Sequence, residues 1–254
     1  MDVALFSPAS LFHDEEIGGE CSEAVEGNES AAERQLHVER THAFPGMELN
    51  IREFSFHQLN ANLLWPGTFA FSNWLVQNQS LLHGARILEL GSGTGALAIF
   101  LRKWLGVVDI TTSDFDDTEI EENIAYNCRA NGLPVLPHIK HTWGDTFPIS
   151  SEPNWDLVIA SDILLYVKQY PSLIKTLCVL LLNSSGRNKD TKAKAAAALS
   201  VSGKHEEVQV TRPVFVMSWR RRLGGEETLF FTGCKDAGLT VRDLGSRVYC
   251  ISRD

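Results

Sequence analysis

Ile87-Leu88-Glu89-Leu90-Gly91-Ser92-Gly93-Thr94-Gly95-Ala96-Leu97-Ala98-Ile99-Phe100 runs from an apolar strand through three alternating glycines straight into an apolar helix. Glycines at that junction let the backbone turn sharply and let another group approach where a Cβ would clash. The helix start adds free N–H groups and partial positive charge. A tight turn that binds nothing would carry the same glycines, so the neighbouring chemistry has to decide between a turn and a site.

Working outward, strands and helices alternate. After the opening strand and helix come Val107–Asp114 as a second strand, Thr118–Gly132 as a helix stopped by glycine, and Pro137–Trp143 as a third strand. Trp155–Asp162 is a fourth strand, Tyr170–Leu182 a helix, Pro213–Trp219 a fifth strand and Glu226–Gly238 a helix; Thr240–Gly245 and Arg247–Asp254 would close the sheet as a hairpin. This order predicts an α/β fold, a Rossmann-like seven-stranded, mostly parallel sheet with helices on both faces. Upstream, Phe44, Met47, Leu49 and Ile51 around Pro45-Gly46 predict a short N-terminal β-hairpin, and Leu63–Gly84 a helical segment. Residues 183–212, polar with an alanine run, are too long for an ordinary connection and are expected to be a flexible insertion in a domain spanning 42–254.

The net charge of −9 is concentrated at one end: residues 1–45 hold ten Asp and Glu against two Arg. Residues 1–41 read as a disordered acidic tail. Without the surplus of basic residues that a nucleic-acid binder carries in its folded part, no nucleic-acid partner is expected. No apolar run reaches the roughly 18 residues needed to span a bilayer, and no secretory signal opens the chain, so no membrane partner is expected either. Five scattered cysteines with no CxxC pair point to free thiols in a reducing compartment, cytosolic or nuclear, and give no metal site. A monomer is the expected state.

The acids choose between ligands for the glycine loop. Asp114, 19 residues past Gly95 at the end of the second strand, is placed to accept hydrogen bonds from both hydroxyls of a ribose. The loop also satisfies G-x-G-x-x-A through Ala96, the nicotinamide pattern. A pyrophosphate tolerates extra negative charge poorly, whereas a sulfonium cofactor brings positive charge. Glu89, Asp114 and Asp162 therefore favour S-adenosyl-L-methionine over NAD(P). The short chain after the fifth strand also argues against a second nucleotide-binding half. Gly91, Ser92, Gly93 and Gly95 form the candidate cradle. Trp143 offers a flat apolar face for adenine, and Trp65, beside Pro66-Gly67, is either a helix-start anchor or a second such face.

From about residue 42 onward, the insertion excepted, the sequence resembles the seven-strand methyltransferases of methyltransferase family sixteen. The resemblance rests on FPGMELNI at 44–51, LWPGTFAFSNWL at 64–75, LELGSGTG at 88–95, Thr142-Trp143-Gly144 and Ala160-Ser161-Asp162. It implies a protein substrate methylated on lysine, with some relatives linked to arginine. It also implies cofactor contacts at Trp65, Gly91, Ser92, Gly93, Asp114, Trp143 and Ser161.

Asp162 ends the fourth strand on the edge where open α/β sheets bind ligands, so it is the candidate catalytic acid that holds and orients an incoming amine. Capping the helix that follows is its structural alternative. The family pattern places an aromatic three residues after this acid. Here that place is Leu165, and Tyr166 follows one residue later. On a helix one residue is a rotation of about 100°, so Tyr166, the candidate aromatic wall, need not face the same way. Asp145 could reach an adenine amino group but reads equally as a turn, and Arg220-Arg221-Arg222 reads as a solvated loop. His138 and His141, without partners at metal spacing, read as surface or strand residues. Two rival readings remain: an NAD(P)-linked oxidoreductase, and a binding module that kept the fold without catalysis.

Overall fold

The computed structural model describes residues 37–54, 56–148, 154–182, 196–200, 207–219 and 225–253. An antiparallel hairpin, β1 (His37–Phe44) and β2 (Met47–Phe54), comes first. Then follow α1 (Pro66–Gln77), β3 (Ile87–Leu90), α2 (Ala96–Lys103), β4 (Ile110–Asp114), α3 (Thr118–Ala130), β5 (His138–Lys140), β6 (Leu157–Ser161) and α4 (Tyr170–Leu180). The chain ends with β7 (Ala196–Ser200), β8 (Glu207–Thr211), β9 (Val214–Ser218), α5 (Glu227–Asp236), β10 (Thr240–Asp243) and β11 (Val248–Ser252).

Seven strands form the main sheet in the order β10-β11-β9-β6-β3-β4-β5. The pairs β3–β4, β3–β6, β4–β5 and β6–β9 are parallel, and β11 runs antiparallel to both β9 and β10. This is the architecture that the alternation predicts. Its central strands are buried on both faces, which is why they read as unbroken apolar runs. Ile87, Ile159, Val214 and Val216 join one core layer with α1, α2, α3 and the hairpin. Leu88, Leu90, Val158, Ala160, Phe215 and Met217 join the other with α4 and α5.

Two boundaries differ from expectation. β1 begins at His37, five residues inside the stretch expected to be tail. Its residues are mostly exposed and polar, so the strand shows no apolar alternation. It is specified by its partner instead, with Arg40 paired to Glu53 of β2 and Glu39 accepting from the Tyr126 hydroxyl of α3. The rest of the expected tail, 1–36, lies outside the described residues. Within 183–212, β7 and β8 pair antiparallel from Ala196↔Thr211 to Ser200↔Glu207. At the exit of β8 the buried Arg212 donates to the carbonyls of Leu81 and His83, tying this segment to the end of α1's following turn.

The hairpin is fastened to the body by a row of asparagines on α3. Asn123, Asn127 and Asn131 recur every four residues and so share one helix face. Asn131 accepts from the Asn50 N–H and donates to the Asn50 carbonyl; Asn127 does the same for Arg52. Asn123 accepts from the Arg52 guanidinium and donates to the Arg52 carbonyl. The side-chain amides thus act as a strand edge, satisfying backbone groups of β2 that would otherwise be buried unpaired.

Candidate active site

The carboxyl ends of β3, β4 and β6 converge where the strand order reverses, since β4 lies on one side of β3 and β6 on the other. In open α/β sheets that crevice is where ligands sit. A cavity of about 450 Å³ opens there, lined by the glycine loop, the ends of β4 and β6, residues 58–61 and 65, and the start of the segment before α4. That volume lies within the range of roughly 300–1,000 Å³ typical of small-ligand pockets.

Gly91 and Gly93 form part of the wall, at φ of +63° and +52°. A Cβ at Gly91 would come within 2.7 Å of Ile163 Cγ2, so glycine is required there by space as well as by conformation. Ser92 points away from the cavity. Its hydroxyl donates to the Glu89 carbonyl at 3.1 Å and accepts from the Ser113 N–H at 3.1 Å, which locks the loop to β4. Gly95 precedes α2 at φ +76° and sits behind the wall.

Asp114 lines the cavity, and its carboxylate organises the loop. Oδ2 accepts from the Gly93 N–H at 2.6 Å and Oδ1 from the Phe115 N–H at 2.7 Å. Burial raises its pKa, and those two amide bonds oppose the rise. Glu89 stands beneath the loop and is not among the cavity residues. Burial pushes its carboxyl up to about 8, against the pull of the nearby Ser92 hydroxyl and of the Ala98 N–H in the first turn of α2. At neutral pH Glu89 is mostly protonated. The charge argument for a cationic ligand therefore rests on Asp114 and Asp162.

Asp162 is 2% exposed, with φ of +54°, and lines the cavity at the end of β6. Its Oδ2 accepts from the Gly67 N–H at 2.6 Å. Gly67 is in the first turn of α1, so Asp162 caps that helix and not the one that follows it. Next to it, Ser161 lines the cavity and its hydroxyl meets that of Thr68 at 2.9 Å. A Cβ at Gly67 would fall 2.4 Å from the Asp162 carboxyl, so the second residue of Pro66-Gly67 is fixed by this contact.

Trp65 and Trp143 both line the cavity, and Trp65 Nε1 donates to the Asn60 carbonyl at 3.0 Å. Tyr166 lines it too. Tyr166 is not on a helix, since residues 163–166 are neither strand nor helix and α4 starts only at Tyr170, so no helical rotation separates it from Leu165. Leu165 shares the same wall. Asp145 is exposed, and its N–H closes a turn on the Thr142 carbonyl at 3.1 Å; it is not among the cavity residues. Arg220-Arg221-Arg222 lies outside the described residues.

Two groups of wall residues had no sequence signal. His141 is 3% exposed, contrary to its reading as a surface or strand residue, and lines the cavity. Burial lowers its pKa, opposed by its hydrogen bond with the Asp145 carbonyl. Residues 58–61, Gln-Leu-Asn-Ala, form a turn that lines the cavity, and so short a stretch carries no periodicity or motif. Among the described residues no group of three or more His, Cys, Asp or Glu could hold a metal ion.

The family model described as lysine methyltransferase matches residues 43–191, from the tip of the hairpin past α4. The chain belongs to the lysine methyltransferase family. Among the family's relatives of this chain, the protein-lysine N-methyltransferase EFM3 of Chaetomium thermophilum is 29% identical over 55% of this chain and 46% of its own length. The EEF1A lysine methyltransferase 3 of Xenopus tropicalis is 28% identical over 56% of this chain and 62% of its own. The match thus spans less than two thirds of either relative. Among solved structures, the T. Thermophilus 16S rRNA methyltransferase RsmC, in complex with AdoMet and guanosine, superposes with a TM-score of 0.55 over 86% of this chain and 51% of that one. At 12% identity this likeness concerns the fold alone. The family match includes the glycine loop, Asp114, Trp143, Asp162 and Tyr166, that is, most of the cavity wall.

Proposed function

We propose that the protein is an S-adenosyl-L-methionine-dependent methyltransferase that modifies a lysine side chain of a protein substrate. One observation carries this: a single cavity joins Gly91, Gly93 and Asp114 to Trp65, Trp143, Tyr166 and Asp162. The first set suits the cofactor. Each Asp114 oxygen accepts one amide bond and keeps lone pairs for ribose hydroxyls, since a carboxylate offers about four acceptor sites. Gly91 lets Ile163 pack against the loop backbone, and the indole of Trp143 beside that position gives adenine an apolar face. The bound cofactor supplies a methyl group on a sulfonium, an intrinsically good leaving group.

The second set suits the acceptor. A lysine must lose its proton before it attacks, at a cost of about 4–5 kcal/mol at neutral pH for an unperturbed pKa near 10.4. Aromatic walls remove water from the amine and favour its neutral form. The Asp162 carboxylate, itself held by the Gly67 amide, orients it. In-line transfer then depends mainly on alignment and exclusion of water. We place the protein in a reducing compartment, cytosolic or nuclear. In support, the four described cysteines are free, and burial raises the pKa of Cys128, Cys234 and Cys250.

Incubating the purified protein with methyl-labelled S-adenosylmethionine and methyl-depleted cell extract tests the proposal. Label on lysine of one or a few proteins, located by mass spectrometry, is the expected result. Label on arginine alone would reject the acceptor, and tight NAD(P)H binding without adenosylmethionine binding would reject the cofactor.

A further inference from the structure

The turn over the cavity holds one residue whose two ends reach two different aromatic walls. The carbonyl of Asn60 accepts from Trp65 Nε1 at 3.0 Å, and its side-chain amide donates to the Tyr166 hydroxyl. All three residues line the cavity. Asn60 has a φ of +58°, in the left-handed region that asparagine tolerates better than most residues.

The turn does not depend on the Asn60 side chain for its shape. Its base is sealed by Phe54 and Asn62, where the Phe54 N–H donates to the Asn62 carbonyl at 3.0 Å and the Asn62 amide to the Phe54 carbonyl at 3.2 Å. Its interior is closed by the Asn60 N–H on the His57 carbonyl at 3.0 Å, and by the Leu59 N–H on His57 Nδ1 at 3.2 Å. The backbone of Tyr166 caps a short 3-10 turn, Val167–Gln169, its carbonyl accepting from the Gln169 N–H at 2.9 Å, but this does not fix the ring. Apart from the Asn60 amide, the polar group near the ring is the Lys168 ammonium, 5.9 Å from its centre. The amide of Asn60 is therefore what ties the phenol to a rigid part of the molecule. Because the phenol oxygen accepts that bond, its own O–H remains free to donate elsewhere.

We infer that Asn60 is a positioning residue, which holds the Tyr166 ring against the cavity beside Trp65 so that the acceptor side chain enters between fixed walls. This inference rests on the methyl-transfer reading of the site. It also separates two roles for Asn60 by the ranking of its replacements. If only the left-handed backbone mattered, glycine would be the best substitute. If the bond to Tyr166 matters, aspartate serves better, because its carboxylate tolerates the same φ and accepts from the tyrosine O–H.

The test compares N60G, N60D, Y166F and N60G/Y166F with the wild type. It follows the initial rate of labelled methyl transfer into methyl-depleted extract at saturating S-adenosylmethionine, together with cofactor affinity by calorimetry. Losing one hydrogen bond that fixes a reacting wall predicts about a tenfold slower N60G, with cofactor affinity changed less than about twofold. N60D should recover to within about threefold of the wild type, and N60G should add nothing in the Y166F background. An N60G as fast as the wild type, an N60D no better than N60G, or a loss of cofactor affinity parallel to the loss of rate would overturn the inference and leave the methyltransferase reading intact. A wild type that binds no adenosylmethionine and transfers no label rejects that reading, and the inference with it.

Discussion

Asp162 shows how one side chain can serve the fold and the site together. A carboxylate at the end of the apolar run Val158–Ala160 is costly to bury unless something pairs with it. The backbone turns through a left-handed conformation at Asp162, and the carboxylate meets the Gly67 N–H in the first turn of α1, where the helix dipole favours negative charge. Fold and function can be separated by substitution. Asp162→Asn keeps an acceptor oxygen and tolerates the positive φ, so its stability should fall by no more than about 1–2 kcal/mol, the loss of a charge at a helix start. Asp162→Ala strands the buried Gly67 N–H and adds backbone strain, for roughly 2–4 kcal/mol. If the charge orients the acceptor amine, both variants should transfer methyl groups at least about a hundredfold more slowly, in line with the cost of misplacing reacting groups. Thermal unfolding and labelled-methyl rates measure the two effects. A stable, fully active Asp162→Asn would leave Asp162 with the helix-capping role alone.

At the scale of elements, the strands and helices of the main sheet are legible because their signals are local. Apolar runs of strand length, helical spacing and the glycine stop at Gly132 each lie within a dozen residues. The attachment of the hairpin has no such signal. Asn123, Asn127 and Asn131 look like a solvent-facing stripe, and only the fold shows that they face Asn50 and Arg52, more than 70 residues away. The same holds for the cavity. Gly91, Gly93, Asp114 and Asp162 are readable from their places at strand ends, whereas Asn60 and His141 acquire a role only through distant neighbours. Asn127 also donates to the carbonyl of Thr94, so one amide links the hairpin to the glycine loop. Asn127→Leu should therefore act at both places. It leaves the Arg52 N–H without its partner, while the Arg52 carbonyl keeps the Asn123 amide, which predicts about 1–3 kcal/mol of lost stability. It should also loosen the loop and weaken S-adenosylmethionine binding several-fold. Asn131→Leu, which removes the bonds to Asn50, two residues from Arg52 on β2, and touches no loop carbonyl, should cost stability without the loss of affinity. Denaturant unfolding and calorimetry on the two variants check this; equal affinities would show that the Thr94 bond is irrelevant to the loop.

For the molecule as a whole, the site lies at a seam. The cavity is bounded by β3 and β4 on one side of the topological switch and by β6 on the other, with the turn at residues 58–61 across it. β3 and β6 each feed side chains into both core layers, so a ligand that touches all the walls binds only the assembled fold. Binding to the native state alone stabilises it by mass action, about 2.7 kcal/mol at a concentration a hundred times Kd. For a domain of some 200 residues each kcal/mol raises Tm by roughly 2–4 °C, so saturating S-adenosylmethionine should raise it by about 5–10 °C. S-adenosylhomocysteine, which keeps the adenosine that Asp114 and Trp143 are placed to contact, should give a shift of similar size. NAD should give none, because its pyrophosphate would bring negative charge into the cavity that Asp114 and Asp162 line. Thermal scans with each ligand at matched concentrations measure this. A shift with NAD that equals or exceeds the adenosylmethionine shift would mean that the glycine loop serves a dinucleotide despite the family to which the chain belongs.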